Sequence, residues 1–335
     1  MFRAICRRLG ADLAFSEMIS AKGLAYGNAK TDDMLFYLDE EAPLAVQLFG
    51  HEPDTLAAMA ALVEGRLGER LALIDINMGC PARKVAGKGD GAALMRDPRL
   101  AHDVIRAVAC AVKSPVTVKF RRGYEIDEDI AVDFARMAEG AGAAAIAVHG
   151  RTARQLFHGR ADRDVINRVV DAVGIPVIAS GDVYTREDME DYFSRGASGV
   201  MVARGARGNP WVFRGRAESA ISGGEESMCG ILRKPTALPL DSGHPPCEFR
   251  NDIRGSVVDD TGTEPVVLLE ERVAVAWEHA SRLHGWDPHK LVSMRRHIAW
   301  YFKGTPQAAA IRRTLNGCRE LKDYQALLES VIPGC

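Results

Sequence analysis

No stretch of this sequence approaches the ~18 consecutive apolar residues that a membrane helix needs. The longest apolar run, 141–148, stops at His149, so no membrane span is expected. The N-terminus also lacks the apolar core of a secretion signal. Gly10 and Asp12 follow Arg3, Arg7 and Arg8 where that core would stand, so export is not expected. No Cys-x-x-Cys occurs among the seven cysteines (6, 80, 110, 229, 247, 318 and 335). That scatter argues against a zinc site or a disulfide framework and suits a reducing cytosol, so a cytoplasmic protein without a metal is expected. Nor is there an excess of charge of one sign. Lys and Arg total 43 against 45 Asp and Glu, which excludes a uniformly basic nucleic-acid coat but not a local basic patch.

What is present is ordinary for a globular chain: 335 residues, 47% apolar and 26% charged, with room for about two domains. Short apolar runs of β type fall at 13–18, 44–49, 71–78, 116–120, 144–149, 176–180 and 199–203. Between them, 54–66, 100–112, 127–140, 163–173 and 186–195 carry apolar residues at helical spacing. Punctuation agrees. Pro53 suits a first helical turn, and Thr185-x-x-Asp188 matches a capping-box variant. Alternating strands and helices imply a parallel α/β sheet.

Polar residues at the ends of nearly all the strands favour a closed barrel over an open doubly wound sheet, which concentrates its chemistry at one switch point. Glu17, Gln47, Asn77, Lys119, His149, Ser180-Gly181-Asp182 and Arg204 end the seven runs in turn. Period-two facing pairs Gln47 with Ala45, Asn77 with Asp75, Lys119 with Thr117, and His149 with Ala145 and Ala147. Small residues beneath long polar tips leave room for a flat ligand. The expected fold is α/β, a TIM-type (β/α)8 barrel lacking its first strand, because a helical pattern at 2–9 precedes the first strand and seven strands do not close a standard barrel.

The barrel is assigned to 1–216. From 217 to 264 the periodicity lapses into Gly, Pro, Ser and Thr, which reads as a flexible insert or linker. Beyond it, 266–284, 288–303, 307–315 and 320–331 read as four helices of a C-terminal all-α domain, 265–335.

The sharpest local signal is Asp75-Ile76-Asn77-Met78-Gly79-Cys80-Pro81, a strand running into a loop that presents a thiol, continued through Lys84, Gly87, Gly89 and Gly91. Free cysteines are often small buried hydrophobes, and that reading is applied to Cys6, Cys110 and Cys318. Cys80, at a strand's C-terminal end, is read as chemical, with proton donation the most economical role because no base stands beside it in the sequence. Lys119 is either ion-paired with Glu17 or Asp75, or reserved for an anionic ligand. His149 is either a satisfied core histidine or part of the site. The glycines of Ser180-Gly181-Asp182 and Ala203-Arg204-Gly205 are either plain turn residues or, as a pair of loops after the last two strands, a phosphate site with Arg204 as its charged fork. From 288 to 319 seven basic residues and no acidic ones are interleaved with aromatics. A solvated helix face competes there with phosphate-backbone contact. The aromatics are expected in the core and the arginines in function.

Taken in order, Asn77-Met78-Gly79-Cys80-Pro81, Val118-Lys119, Val148-His149-Gly150-Arg151-Thr152, Ser180-Gly181-Asp182 and Arg204 with Gly208-x-Pro210-Trp211-x-Phe213 resemble the motif series of tRNA-dihydrouridine synthases, nearest the bacterial B-type or NifR3-like group. The resemblance runs from residue 1 to about 331 apart from the insert. It implies an FMN-binding TIM barrel followed by a helical tRNA-binding domain. NADPH would reduce the flavin, whose N5 delivers hydride to C6 of a D-loop uracil while Cys80, matching the family's catalytic cysteine, protonates C5.

By the same resemblance Gln47 and Lys119 hold the isoalloxazine ring, His149 stands near it, and Ser180, Gly181, Asp182, Ala203 and Arg204 form the phosphate loops. Asn77 would bond the target base. Lys84 and Arg151, with Arg295, Arg296, Arg312 and Arg313 on the basic face, would meet tRNA. Partners are then tRNA alone, with the protein a monomer. Three departures stand out: the missing first strand with its flavin-packing loop, Ser180 and Ala203 where the B-type has Asn and Gly, and the long insert. Two other functions remain, a free-pyrimidine oxidoreductase of the dihydroorotate dehydrogenase kind and a truncated, non-catalytic RNA-binding protein.

Overall fold

The computed structural model describes residues 1–214 and 267–332, so the expected insert at 217–264 and the boundaries at 216 and 265 lie outside the described residues. One parallel sheet contains β1 (Ala14–Phe15), β2 (Ile19–Ser20), β3 (Leu44–Phe49), β4 (Leu71–Met78), β5 (Val116–Arg121), β6 (Ala145–His149), β7 (Val177–Ser180) and β8 (Gly199–Met201). The order is β1-β3-β4-β5-β6-β7-β8, with β2 also pairing β3. β1 and β2 are therefore two pieces of one edge. The expected strand over 13–18 is interrupted because Ser16 Oγ accepts the Gln47 N–H (3.0 Å) in place of a backbone carbonyl. The sheet thus fills seven positions of a TIM-type barrel, and no pairing joins β8 to β1 among the described residues.

Alternation decides what each strand residue meets. Ile74, Ile76, Val118, Phe120, Ile146 and Val148 point outward into the helices, where they are fully buried. Gln47, Asn77, Lys119 and His149 line the interior instead. The intervening helices follow the sequence pattern to within a few residues, from Pro53–Leu67 with Pro53 in its first turn to Arg186–Ser194, where both bonds of the Thr185/Asp188 capping box form. Cys6 and Cys318 are buried as expected, but Cys110 is exposed, on the outer face of Pro98–Ala111.

The C-terminal region contains helices Leu269–Trp286, Met294–Tyr301, Ala308–Leu315 and Leu321–Glu329. The expected helix over 288–303 is split, because Asp287 caps a separate 3₁₀ turn, Pro288–Ser293, by accepting the His289 N–H. This second core also takes in Ile5 of the helix Phe2–Arg8 and Trp211 of the turn Pro210–Phe213. Trp211 Nε1 donates to Glu271 (2.9 Å), which ties the end of the barrel to the first C-terminal helix. Among the described residues no helix is long and apolar enough to cross a membrane.

Candidate active site

One cavity of about 2240 Å³ extends from the barrel interior past the N-terminal helix to the C-terminal helices, and at the strand C-termini it is lined by Gln47, Asn77, Cys80, Lys119, His149 and Arg204. Strand register brings these residues together. Gln47 pairs with Asp75, Asn77 with Lys119, Arg121 with His149, and His149 with Ser180.

A hydrogen-bonded chain runs across the floor. Fully buried Asp75 accepts from Thr117 Oγ1 (2.5 Å) and Gln47 Nε2 (2.6 Å), and Gln47 Oε1 accepts from Asn77 Nδ2 (2.8 Å). Asn77 Oδ1 in turn accepts the backbone N–H groups of Gly79 (3.2 Å) and Cys80 (2.9 Å). Burial raises the Asp75 carboxyl's pKa above the usual carboxylate range, against the pull of Thr117, Gln47 and Lys119. Gln47 and Asn77 are thereby oriented before any ligand arrives, each with one amide N–H left over. Asn77 is accordingly the anchor of the Cys80 loop, whatever else it bonds. The other side of that loop is held by Arg121, whose Nε donates to the Gly79 carbonyl (2.9 Å), and by the Ala92 N–H, which donates to the Cys80 carbonyl (3.1 Å). The Cys80 thiol is half-buried and free.

Lys119 pairs with neither Glu17 nor Asp75. Glu17 lies at the surface against Arg3 (2.9 Å), and no carboxylate comes within ion-pair distance of the Lys119 ammonium among the described residues. Burial, reinforced by Arg121, brings its pKa down to about 8. His149 is pushed down to about 2 by burial and by the Lys119, Arg121, Arg151 and Arg204 charges, so it is neutral at physiological pH. Its Nδ1 accepts the Arg151 backbone N–H (3.1 Å), which leaves the proton on Nε2.

The loops after β7 and β8 are joined by Asp182, a left-handed residue (φ +47°) that accepts from Arg151 Nη2 (2.6 Å), the Ala161 N–H (2.9 Å) and Arg204 Nη2 (3.1 Å). Burial works against the charged carboxylate, but these three donors outweigh it and hold the pKa below the usual value. Two glycines are dictated by space. A Cβ on Gly181 (φ +120°) would stand 2.8 Å from the Ala161 Cβ, and one on Gly205 would stand 2.1 Å from the Val183 carbonyl oxygen. Gly181→Ala is expected to destabilise the fold by about 1–3 kcal/mol and to weaken anion binding at this corner. Thermal melts with and without inorganic phosphate check both effects, and a variant indistinguishable from wild type would remove the steric argument.

Several expected substrate contacts have other neighbours. Arg151 is 2% exposed and donates to the His158 and Gly159 carbonyls as well as Asp182, so it is a loop anchor inside the protein rather than a surface contact. Arg295 is occupied by the Cys318 carbonyl (2.9 and 2.7 Å). Lys84, Arg296, Arg312 and Arg313 are exposed. Phe302 and Tyr301 are core, whereas Trp300 is only half-buried and carries Arg207 over its ring at 5.5 Å. Sequence reasoning missed Arg121, although alternation from Thr117 through Lys119 places it on the interior face one residue past the assumed strand end.

The arrangement fits an anionic ligand. The half-buried Lys119 ammonium, with no carboxylate in ion-pair distance among the described residues, lines one cavity with Arg204 and the crowded Gly181 corner, and the unpartnered, buried Arg151 Nη1 lies behind that corner. The family model described as Dihydrouridine synthase (Dus) matches residues 1–238. The tRNA-dihydrouridine synthase B of Pseudomonas syringae pv. tomato is 32% identical over 98% of this chain and 86% of its own. That of Xanthomonas axonopodis pv. citri is 35% identical over 98% and 87%, and that of Vibrio cholerae 34% over 97% and 88%. With the cysteine loop, the interior lysine and the paired glycine loops on one barrel rim, and with likeness running along nearly the whole sequence, the chain belongs to the dihydrouridine synthase family.

Proposed function

We propose that this protein is a tRNA-dihydrouridine synthase that reduces the C5–C6 double bond of a D-loop uridine, using FMN as resident cofactor and NADPH as reductant. The observation that carries this reading is a thiol on a fixed backbone, Cys80, and a half-buried ammonium without an ion-pair partner among the described residues, Lys119, at one cavity. When bound, FMN supplies the hydride that adds at C6 of the uracil. Gln47, Lys119 and the His149 Nε2–H would meet the polar edge of its ring, and Ser180, Gly181, Asp182, Ala203 and Arg204 its phosphate. An ammonium beside the ring favours anionic ligand states, which gives its desolvation a function. Cys80 gives its proton to C5, so that one hydride and one proton account for both new C–H bonds.

The polar chain from Asp75 through Gln47 and Asn77 fixes the backbone from which the thiol projects. Region 1–216 is read as the flavin-binding unit and 265–335 as the tRNA-gripping unit, in a cytoplasmic protein. Arg296, Arg312, Arg313 and Lys84 are free to neutralise phosphates, and the target base must leave its stack to reach Cys80. The purified protein is expected to show flavin absorbance and to form dihydrouridine in unmodified tRNA with NADPH, with tRNA binding that weakens steeply as salt rises. Turnover of a free pyrimidine with no effect of tRNA would favour a dihydroorotate dehydrogenase-like activity. RNA binding without flavin would favour a non-catalytic role.

A further inference from the structure

The loop after β6 presents one large aromatic side chain to solvent at the rim of the site. Phe157 is 57% exposed and lines the same cavity as Cys80. Isolated exposed aromatics are common and need no explanation. The backbone beneath this one is another matter. Leu156, its neighbour, is held at φ +52°, a conformation that a branched residue rarely adopts. Two buried arginines hold it there. Arg121 Nη1 donates to the Thr152 and Leu156 carbonyls (2.9 Å each), and Arg151 donates through Nε to His158 (3.1 Å) and through Nη2 to Gly159 (2.6 Å). From the other edge the Ala153 N–H donates to the Gly123 carbonyl (2.9 Å). Ordering this loop around a strained residue puts a ring in water, the opposite of what core packing would select, and such strain tends to collect at functional sites.

The surroundings suit a base on a phosphate backbone. The Arg204 guanidinium lies 4.6 Å from the Phe157 ring centroid and that of Arg121 lies 5.8 Å away, while His158 and Arg160 are exposed beside it. Arg121 links the ring to the chemistry, because its Nε holds the Gly79 carbonyl next to Cys80. Phe157 therefore stands one side chain from the loop that carries the thiol. A uridine drawn out of its stack to reach Cys80 leaves a neighbouring base exposed at the rim.

We propose that Phe157 is the stacking platform for a nucleotide flanking the target uridine, held in place by Arg121 and Arg151. The proposal rests on the tRNA reading above. A ring serves this purpose irrespective of base identity, because every base has a π-face.

The test compares Phe157→Ala, Phe157→Leu and Phe157→Tyr in the flavin-loaded protein, with an unmodified tRNA transcript and NADPH. Since the side chain is outside both cores, all three should melt as wild type does. Alanine and leucine are expected to raise the KM for tRNA by about tenfold with little change in kcat, and tyrosine to restore it. Flavin content and the rate of flavin reduction by NADPH should be unchanged. Recovery by leucine would mean apolar cover rather than stacking, and loss of flavin would make the ring a wall of the cofactor site; either overturns the proposal, as does a KM that none of the variants changes. If wild-type protein forms no dihydrouridine, the functional reading itself fails and this one with it. Wild-type turnover beside an unaffected alanine variant defeats only the stacking.

Discussion

Cys80→Ala is expected to keep its flavin and to reduce tRNA about 10²–10⁴-fold more slowly, the range that a positioned general acid contributes. The side chain touches solvent and cavity rather than core, and the Gly79–Cys80 backbone is held by Asn77, Arg121 and Ala92, so the loop should keep its shape without the thiol. Flavin reduction by NADPH needs no proton at C5 and should continue. The defect then belongs to the half-reaction with RNA, which stopped-flow absorbance separates from the first. Serine is expected to restore little, since a hydroxyl is a far weaker acid than a thiol. A Cys80→Ala protein that forms dihydrouridine at the wild-type rate would remove Cys80 from the mechanism.

Lys119→Met should have opposite effects on function and stability. Burial lowers the pKa of the lysine from 10.5 to about 8. Between those values the unfolded chain binds a proton that the folded chain does not, so stability rises with pH across that window. Below about pH 8 the folded protein carries the whole penalty of the buried charge. Replacing the ammonium with a thioether of similar length is therefore expected to stabilise the flavin-free protein at pH 7 by roughly 1–3 kcal/mol. The gap between variant and wild type should close as the pH approaches 10.5. Function should suffer, with electrostatic contributions of this kind worth about 10²–10³-fold in rate. Denaturant unfolding at pH 7 and pH 10 checks the stability part. A variant less stable than wild type at both values would mean that Lys119 has a compensating partner in the folded protein.

Much of this protein is legible residue by residue. Strand alternation places Gln47, Asn77, Lys119 and His149 on the interior face, since neighbouring side chains on a strand must point to opposite sides. The Thr185/Asp188 cap and the first-turn Pro53 are equally local. Bonds between distant segments are not legible in this way. Arg151 sits in a motif suggestive of RNA contact, yet its acceptors are His158, Gly159 and Asp182, the last brought near only by the neighbouring strand. Arg295 belongs to a basic run but serves the Cys318 carbonyl. Glu17 reads as a strand-end partner for Lys119, but Ser16 breaks that strand and the carboxylate turns outward to Arg3.

The sequence by itself determined the α/β class, the six strand positions from 44 onward, the thiol-bearing loop and the basic helical tail, because each follows from spacing along the chain. Only the tertiary structure decided that Lys119 has no counter-ion among the described residues, that Arg121 and Arg151 are internal staples, and that Phe157 faces water on a strained turn. Those properties depend on which groups are absent from a side chain's surroundings as much as on which are present. Absence around a residue is set by the packing of segments far apart in sequence, which periodicity does not record.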